Sequence, residues 1–212
     1  MNARLLTSVL LLTAALLHAE APKEIVLFDG KSLDDWQSVD AGGSGTVEVR
    51  NGEMIIGTGE SITGAIYKKA KDLPVTNYEI SLEAKRVDGI DFFCGLTFPV
   101  GDLKTCATLI CGGWGGSVTG ISSIDKMDAS ENSTGHYRPF KNAKWYRIKL
   151  RVTPNDLKVW VDDEKAIDVD IKGKKISLRP GPIEDYAPLS FTTYQTTAAI
   201  KNVKITPIAP AK

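Results

Sequence analysis

The chain has 212 residues, of which 42% are hydrophobic and 25% are charged, a composition typical of a globular domain with a substantial core. Lysine and arginine together number 26, as do aspartate and glutamate, so the formal net charge is zero. Because charges of both signs are interspersed, the sequence argues against nucleic acid and anionic membrane surfaces as partners.

Residues 1–19 predict a secretory signal peptide. Arg4 supplies an early positive charge, residues 9–17 are apolar, and the small Ala19 offers a cleavage point. The apolar run is shorter than the roughly 20 residues that a membrane-spanning helix requires. We therefore expect cleavage after Ala19, a single mature domain over residues 20–212, export to the periplasm or the extracellular space, and no membrane attachment after cleavage.

The next segment, LFDGKSLDDWQ at residues 27–37, predicts the entry into an all-β domain. Phe28, Leu33 and Trp36 can pack onto a core, while the Asp-Gly pair between them forms a turn.

Most of the remaining chain predicts short strands separated by turn-forming dipeptides such as Asn-Gly and Asp-Gly. Apolar or alternating runs of strand length cover residues 46–49, 54–56, 65–67, 78–84, 92–98, 105–111, 146–152, 157–161, 165–169, 189–193 and 199–205. Strands at such close spacing, with few segments of helix length, predict a β-sandwich or barrel.

The three cysteines have a spacing that fits neither a C-x-x-C redox site nor a zinc ribbon, so metal binding through sulfur is not expected. If residues 92–98 and 104–111 form antiparallel strands, Cys94 lies nearly opposite Cys111 on the same face. We therefore predict that these two residues can form a cross-strand disulfide.

The segment GGWGG at residues 112–116 places Trp114 among four glycines, whose conformational freedom is costly to fix on folding. One interpretation is a ligand loop, in which the backbone approaches a bound sugar and the indole offers it an apolar surface. The other is a bulged turn with Trp114 packed into the core.

Residues 120–140 predict a long polar loop, and loops of this length in a compact domain are often functional. Its candidate side chains are Asp125, Asp128, Glu131, His136, Tyr137 and Arg138. The acidic residues lack the spacing of a calcium loop. A glycosylation sequon begins at Asn132.

The clearest hairpin prediction covers residues 146–161. Every second residue from Tyr146 to Val152 is apolar, the residues between them are basic, and the alternation resumes at Leu157 after a turn. One face should therefore be buried and the other hydrated. Trp160 belongs to the hydrated face, where it either packs across the strands on Lys and Arg stems or stacks on a sugar.

This pattern resembles the family of 3-keto-disaccharide hydrolase domains, and the resemblance spans nearly the whole mature chain. It rests on LFDGKSLDDW (27–36), VEVRNGEMIIG (47–57), NYEISLEAKR (77–86), KWYRIKLRV (144–152), LKVWVDDEKAIDVD (157–170) and AIKNVKI (199–205). The resemblance implies an all-β, concanavalin A-like jelly-roll sandwich of two antiparallel sheets.

Three polar pieces of the family pattern are replaced. Members carry an Asn-Ser-Gly turn, a strand with acidic and Gln side chains ahead of an Asp, and a Gln-x-His-Gly-like stretch. This chain instead has FFCGL (92–96), CATLICGGWGG (106–116) and SFTTYQTTA (190–198). Catalytic roles therefore cannot be transferred by position.

The family reaction that the resemblance implies begins with a carbonyl at sugar carbon 3, which acidifies the proton at carbon 2. A base removes that proton, the glycosidic oxygen leaves with help from an acid, and water then adds. We predict Asp125 or Asp128 as the base and His136 as the acid, the alternative for His136 being a solvated loop residue. Trp114, together with Glu131, Tyr137 and Arg138 of the loop, is predicted to bind the substrate.

We favour an exported hydrolase of glycosides, of the 3-keto type; the alternatives are a non-catalytic carbohydrate-binding module and a structural or partner-binding domain. We expect a carbohydrate or glycoside as the partner and no cofactor, since no motif supports a divalent metal. A hollow in which Trp114 meets at least two of Asp125, Asp128, Glu131 and His136 would favour the hydrolase. Aromatic residues without converging acids would favour the binding module.

Overall fold

The structure is a computed structural model that describes residues 23–40 and 42–210. The predicted signal peptide, residues 1–19, lies outside the described residues. In the part of the chain that is described, fifteen strands form two antiparallel sheets. The same residues include no helix with the length and apolar character needed to cross a membrane.

The larger sheet has eight strands in the spatial order β13-β12-β11-β6-β15-β4-β3, and β1 pairs with β15 as well. These strands are β1 (Ile25–Phe28), β3 (Val47–Arg50), β4 (Glu53–Ile56), β6 (Tyr78–Gly89), β11 (Trp145–Val152), β12 (Asp156–Val161), β13 (Glu164–Asp170) and β15 (Thr196–Pro207).

The smaller sheet has seven strands in the order β10-β9-β8-β7-β14-β5-β2. These are β2 (Trp36–Ser38), β5 (Ile62–Tyr67), β7 (Cys94–Pro99), β8 (Cys106–Gly112), β9 (Val118–Ser122), β10 (His136–Tyr137) and β14 (Ser190–Tyr194). The helical segments are two 3-10 turns, Ala70–Asp72 and Pro182–Tyr186, and the short turn Gly113–Gly116.

The core lies between the two sheets and follows from the alternation along each strand. In β11, Tyr146, Ile148, Leu150 and Val152 are buried while the basic residues between them face outward. The seven-stranded sheet contributes buried side chains such as Leu96 in the same way. The observed layers confirm the predicted all-β jelly-roll sandwich.

The entry segment carries the chain from one sheet to the other. β1 pairs with β15 in the larger sheet, and β2 pairs with β5 in the smaller one. Phe28 and Trp36 are buried as predicted. The Trp36 Nε1 donates a hydrogen bond to the Leu27 carbonyl at 3.0 Å, and its ring lies 5.2 Å from that of Tyr67.

Each of the eleven predicted strand segments overlaps a strand, whereas β1, β2, β9 and β10 were not predicted. β9 has the sequence VTGIS and four of its five residues are buried, so both of its faces are covered. A strand covered on both faces shows no alternation of apolar and polar residues, and the central Gly120 weakens the signal further.

Much of the predicted polar loop is packed against the outer face of the seven-stranded sheet. Asn132 organises it: its amide nitrogen donates to the carbonyls of Ile121, Met127 and Asp128 at 2.8–3.0 Å. Its amide oxygen accepts from the backbone and hydroxyl of Thr134. The sequon asparagine is buried and serves the fold of the loop.

A second segment, residues 174–188, covers the same outer face. Ser177 exchanges two backbone hydrogen bonds with Ser123, at 2.7 and 3.2 Å. Ile183 and Tyr186 are buried, and the Tyr186 hydroxyl donates to the Ile62 carbonyl at 3.4 Å. Burial raises the pKa of Tyr186.

Cys94 and Cys111 are directly opposite each other in β7 and β8, as the predicted register required. Both side chains are fully buried and both thiols are free in this structure. A hydrogen bond between the two thiols, together with burial, raises the pKa of Cys94 well above its usual value. The disulfide itself stays a prediction.

Candidate functional site

The covering segments leave a hollow open on the outer face of the seven-stranded sheet. It has a volume of about 420 Å³ and its lining includes Asp91, Phe92, Ile110, Trp114, Arg179 and Tyr194. Ile110 reaches it because it alternates along β8 with the core-facing Leu109. We call this cavity the Trp114 hollow.

Trp114 enters the hollow from the glycine-rich turn between β8 and β9. Its side chain is 41% exposed, so the interpretation that it packs into the core is wrong. Its backbone is left-handed, with φ 49° and ψ 56°, a conformation that non-glycine residues rarely adopt. Gly112, Gly115 and Gly116 also have positive φ angles. Residues with ordinary β-region backbone angles could not make so tight a turn. Glycine adopts positive φ angles at little cost, which explains why the segment is rich in glycine.

Asp91 holds this turn from the side. One carboxylate oxygen accepts a hydrogen bond from the Gly115 backbone at 3.0 Å, and the other accepts from the Phe92 backbone at 2.7 Å. Its own backbone N–H donates to the Thr196 hydroxyl at 3.1 Å. Both oxygens of Asp91 are therefore committed to shaping the rim of the hollow.

Two further aromatic rings lie at the hollow. Phe92 and Tyr194 stack with their ring centroids 6.1 Å apart and their planes 26° from parallel, and the backbone of Tyr194 donates to the Phe92 carbonyl. With Trp114 they give the hollow an aromatic lining from three separate parts of the chain.

Asp128 stands behind two lining residues of the hollow, Ser122 and Arg179. Its Oδ1 accepts a hydrogen bond from the Ser122 hydroxyl at 2.7 Å, and its Oδ2 lies 3.2 Å from the Arg179 Nε. The Asp128 side chain is only 16% exposed, whereas that of Arg179 is 59% exposed. Within the described residues, the terminal guanidinium nitrogens of Arg179 have no hydrogen-bond partner.

The other predicted acids do not line the hollow. Asp125 accepts a hydrogen bond from the Lys175 backbone at 2.8 Å and lies 3.4 Å from the Lys174 ammonium. These contacts lower its pKa, the Lys175 N–H contributing most. Glu131 is exposed, and its carboxylate accepts a hydrogen bond from the Asp128 backbone at 3.2 Å.

His136, Tyr137 and Arg138 lie at a different hollow, at the sheet edge formed by β10. The half-buried His136 has its Nδ1 3.4 Å from the Thr134 carbonyl. Arg138 forms an ion pair with Glu164 at 2.7 Å, and Tyr137 is 76% exposed. The structure thus places Trp114 and Asp128 at one hollow and these three residues at another, and their predicted roles stay predictions.

Sequence reasoning missed Asp91, Phe92, Arg179 and Tyr194. A signal for three of the lining residues was present, because the segments that depart from the family pattern, 92–96, 106–116 and 190–198, supply Phe92, Trp114 and Tyr194. These segments are far apart in the chain and meet only in the folded sheet.

In the described part of the chain, no three His, Cys, Asp or Glu side chains are grouped so that they could hold a metal ion.

The family model of 3-keto-alpha-glucoside-1,2-lyase-like domains matches residues 23–206. The chain belongs to this family. The match confirms the family inferred from the sequence and identifies a glycosyl hydrolase-like, carbohydrate-active domain. A search of curated proteins found no match.

Several solved structures share this fold at low sequence identity. The Crh5 transglycosylase in complex with NAG is 12% identical with a TM-score of 0.61, and the match covers 90% of this chain and 86% of that one. Domain 4 of the extracellular arabinanase AbnA of Geobacillus stearothermophilus, in complex with arabinotriose, is 15% identical with a TM-score of 0.57 and coverage of 91% and 96%. The carbohydrate-binding module CBM66 of Bacillus subtilis is 13% identical with a TM-score of 0.50 and coverage of 80% and 94%.

Proposed function

We propose that this family member binds a glycan in the Trp114 hollow. The observation that carries the proposal is the exposed Trp114, held in a left-handed backbone beside the stacked Phe92 and Tyr194. Backbone strain at an exposed aromatic residue is typical of a functional position. An apolar hollow with a few fixed polar groups is also the usual form of a ligand site.

The polar groups of the hollow suit recognition better than proton transfer. Both oxygens of Asp91 accept backbone hydrogen bonds, and those of Asp128 are engaged by Ser122 and Arg179. The terminal nitrogens of Arg179 remain available as donors to hydroxyl or carbonyl oxygens of a sugar. The three aromatic residues and the free donors of Arg179 form a binding surface, and no two free acids converge on it among the described residues.

The replaced family segments support the same conclusion. They supply Phe92, Ile110 and Tyr194 to the hollow, where the family pattern has amide, acidic and imidazole side chains. Their substitution by apolar and aromatic residues removes proton-transfer groups and adds surface for stacking. We propose accordingly that glycan binding, after export from the cytoplasm, is the principal function.

The test is a titration of the purified protein with a panel of neutral and acidic oligosaccharides, followed by calorimetry. Trp114→Ala should weaken binding by at least about tenfold, since it removes the main aromatic surface. Trp160→Ala is the matched control, because Trp160 lies on the outer face of the other sheet. Equal losses in both variants, or no loss in Trp114→Ala, would contradict the proposal.

Family membership favours a second function, cleavage of 3-keto-glycosides in the same hollow. In this reaction Asp128 would take the proton from carbon 2, and the electron pair would form the carbon 1–carbon 2 double bond. The glycosidic oxygen would leave with a proton from a solvent water, and the hydroxide so formed would take the proton from Asp128. Addition of water would then complete hydrolysis. Asp128 is preferred over Asp125 as the base because it contacts two lining residues of the hollow.

Release of free sugar from 3-keto-glucosides and their unoxidised parents, with and without divalent metal, tests this second function. Cleavage of the keto substrates alone, abolished in Asp128→Asn and retained in Asp125→Asn, would support it. His136→Ala should leave the cleavage rate unchanged, because His136 lines the hollow at the β10 edge; a loss in this variant would contradict the placement of the reaction in the Trp114 hollow. An absence of turnover on every substrate would leave glycan binding as the function.

A further inference from the structure

Arg86 is a buried cation beneath the turn that carries Trp114. It lies in β6 at a core-facing position, in register with the buried Leu82 and Ala84. Only 5% of the residue is exposed. Among the described residues, no carboxylate forms an ion pair with it.

The hydrogen bonds of the Arg86 side chain go to the turn at residues 112–116. A terminal guanidinium nitrogen donates to the carbonyl of Gly116 at 2.9 Å and reaches the carbonyl of Gly112 at 3.4 Å. The guanidinium carbon lies 5.4 Å from the centre of the Phe93 ring. Its Nε is buried with no hydrogen-bond acceptor among the described residues. Burial lowers the pKa of Arg86, an effect that Asp91 partly offsets.

A buried charge without a paired carboxylate is costly and is retained where it has a specific task. The two carbonyls that Arg86 contacts belong to the residues that bracket the turn, on either side of Trp114. Gly115, between them, donates its N–H to Asp91. A cation therefore holds the carbonyls of the turn from beneath, while an anion holds its N–H from the side.

The two bracketing glycines fit this arrangement closely. A Cβ on Gly112 would lie 2.5 Å from a terminal nitrogen of Arg86. A Cβ on Gly116 would lie 2.5 Å from the Ile90 carbonyl and 3.4 Å from both terminal nitrogens of Arg86. The turn thus closes directly on the guanidinium, and any side chain at either glycine would separate them.

We propose that Arg86 is the positioning residue of the glycan site: it fixes the turn at residues 112–116 and so holds the Trp114 indole ready for the ligand. The inference rests on the proposed glycan binding for its functional meaning. Its structural content, that Arg86 sets the conformation of Trp114, stands independently. If Arg86 contributed only to the stability of the core, its substitution would leave the conformation of Trp114 unchanged.

The first experiment reports on Trp114 without any glycan. The protein is labelled with 5-fluorotryptophan, and the Trp114 resonance is assigned by comparison with Trp114→Phe in ¹⁹F NMR. In Arg86→Met the Trp114 resonance should broaden or split, while those of Trp36, Trp145 and Trp160 stay unchanged. Arg86→Lys should restore a single sharp line in part, because an ammonium can still donate to the carbonyls. Arg147→Met, which removes an exposed arginine paired with Asp163, is the matched control.

The second experiment is a double-mutant cycle on glycan affinity. Arg86→Met should weaken binding about tenfold when Trp114 is present and should have no further effect in a Trp114→Ala background. Equal effects in the two backgrounds would overturn the proposal. If Arg86→Met does not fold, the cycle is run with Arg86→Lys, for which an intermediate loss is expected.

Negative results in the two experiments contradict different proposals. An unchanged Trp114 resonance in Arg86→Met overturns the positioning role whether or not a glycan binds. A wild-type protein that binds no member of the panel contradicts the proposed function, and the NMR comparison then decides the role of Arg86 by itself.

Discussion

Trp114 and Trp160 both lie on outward-facing surfaces of the sandwich, but their surroundings are opposite. Trp160 projects from the eight-stranded sheet between two basic side chains, with the Lys149 ammonium 4.4 Å and the Arg151 guanidinium carbon 5.4 Å from its ring. Trp114 stands at an open hollow beside other aromatic rings. Cross-strand cations thus lie against the ring of Trp160, whereas the ring of Trp114 is left uncovered for a ligand.

The two outer faces differ in the same way. That of the eight-stranded sheet carries pairs of opposite charge in solvent, such as Arg151 with Glu79 at 2.7 Å, and Trp160 fits there as the cross-strand aromatic that its register predicted. The outer face of the seven-stranded sheet is covered by ordered polar segments that leave the Trp114 hollow open. The stability of the covering segments should therefore depend on a few buried polar contacts. On the other face, the loss of any single ion pair should change the free energy of unfolding only slightly.

The largest expected effect is that of Asn132→Ala on stability. The substitution removes the side-chain hydrogen bonds to three carbonyls and to the backbone and hydroxyl of Thr134, so it should lower the free energy of unfolding by about 2–4 kcal/mol. Urea denaturation measures the change. Ser133→Ala, at the exposed neighbouring position, is the control and should change the value by less than about 0.5 kcal/mol. A small effect in both would mean that the loop does not need its asparagine.

The core strands could be predicted from sequence because burial on one face imposes a two-residue period, as from Tyr146 to Val152. The same reasoning predicted the register that places Cys94 opposite Cys111. β9 and β10 could not be found in this way, since β9 is covered on both faces and β10 has only two residues. These strands form only because a neighbouring strand offers them hydrogen bonds.

The candidate site was predicted less well, for a geometric reason. Asp128 and His136 are close in sequence and were expected to act together, but the loop reverses around Asn132 and brings His136 to the sheet edge. The departures from the family pattern mark the segments of Phe92 and Tyr194 but not their meeting with Arg179, which depends on the pairing of β7 and β14 and the packing of residues 174–188. Trp114 was identified because its four glycines are a local signal.

A second prediction concerns pH and the covered face. Cys106 lies under the second covering segment, its thiol 3.8 Å from the Pro188 carbonyl, and burial raises its pKa from 9.0 to about 11. Above pH 9 the unfolded chain loses this proton before the folded chain does, so folding stability should fall as the pH rises from about 9 to 11. The expected contribution is at most about 2 kcal/mol.

Urea unfolding under reducing conditions at pH 8 and pH 10.5, for the wild type and Cys106→Ser, measures this contribution. Serine does not titrate in this range, so the wild type should lose more stability between the two pH values than the variant does. Buried groups that do not interact with Cys106, such as Tyr186, titrate in both proteins and cancel in the comparison. Burial and the charge of Cys106 both raise the pKa of Tyr78, so the measured difference includes the coupling between these two groups. Parallel losses would mean that Pro188 does not shield the thiol.

The smallest expected effect on stability concerns the outer face of the eight-stranded sheet. Lys149→Ala removes the cation above Trp160, and because such exposed contacts are weak, unfolding should change by less than about 1 kcal/mol. The same variant uncovers one side of the Trp160 ring, so it directly tests the reason given for the difference between the two tryptophans. If uncovering the ring were sufficient for ligand binding, Lys149→Ala would gain a second glycan site that Trp160→Ala abolishes. We expect no such gain, because the described lining of the hollow at Trp160, which has a volume of about 660 Å³, includes no second aromatic ring. Calorimetric stoichiometry decides between the two outcomes.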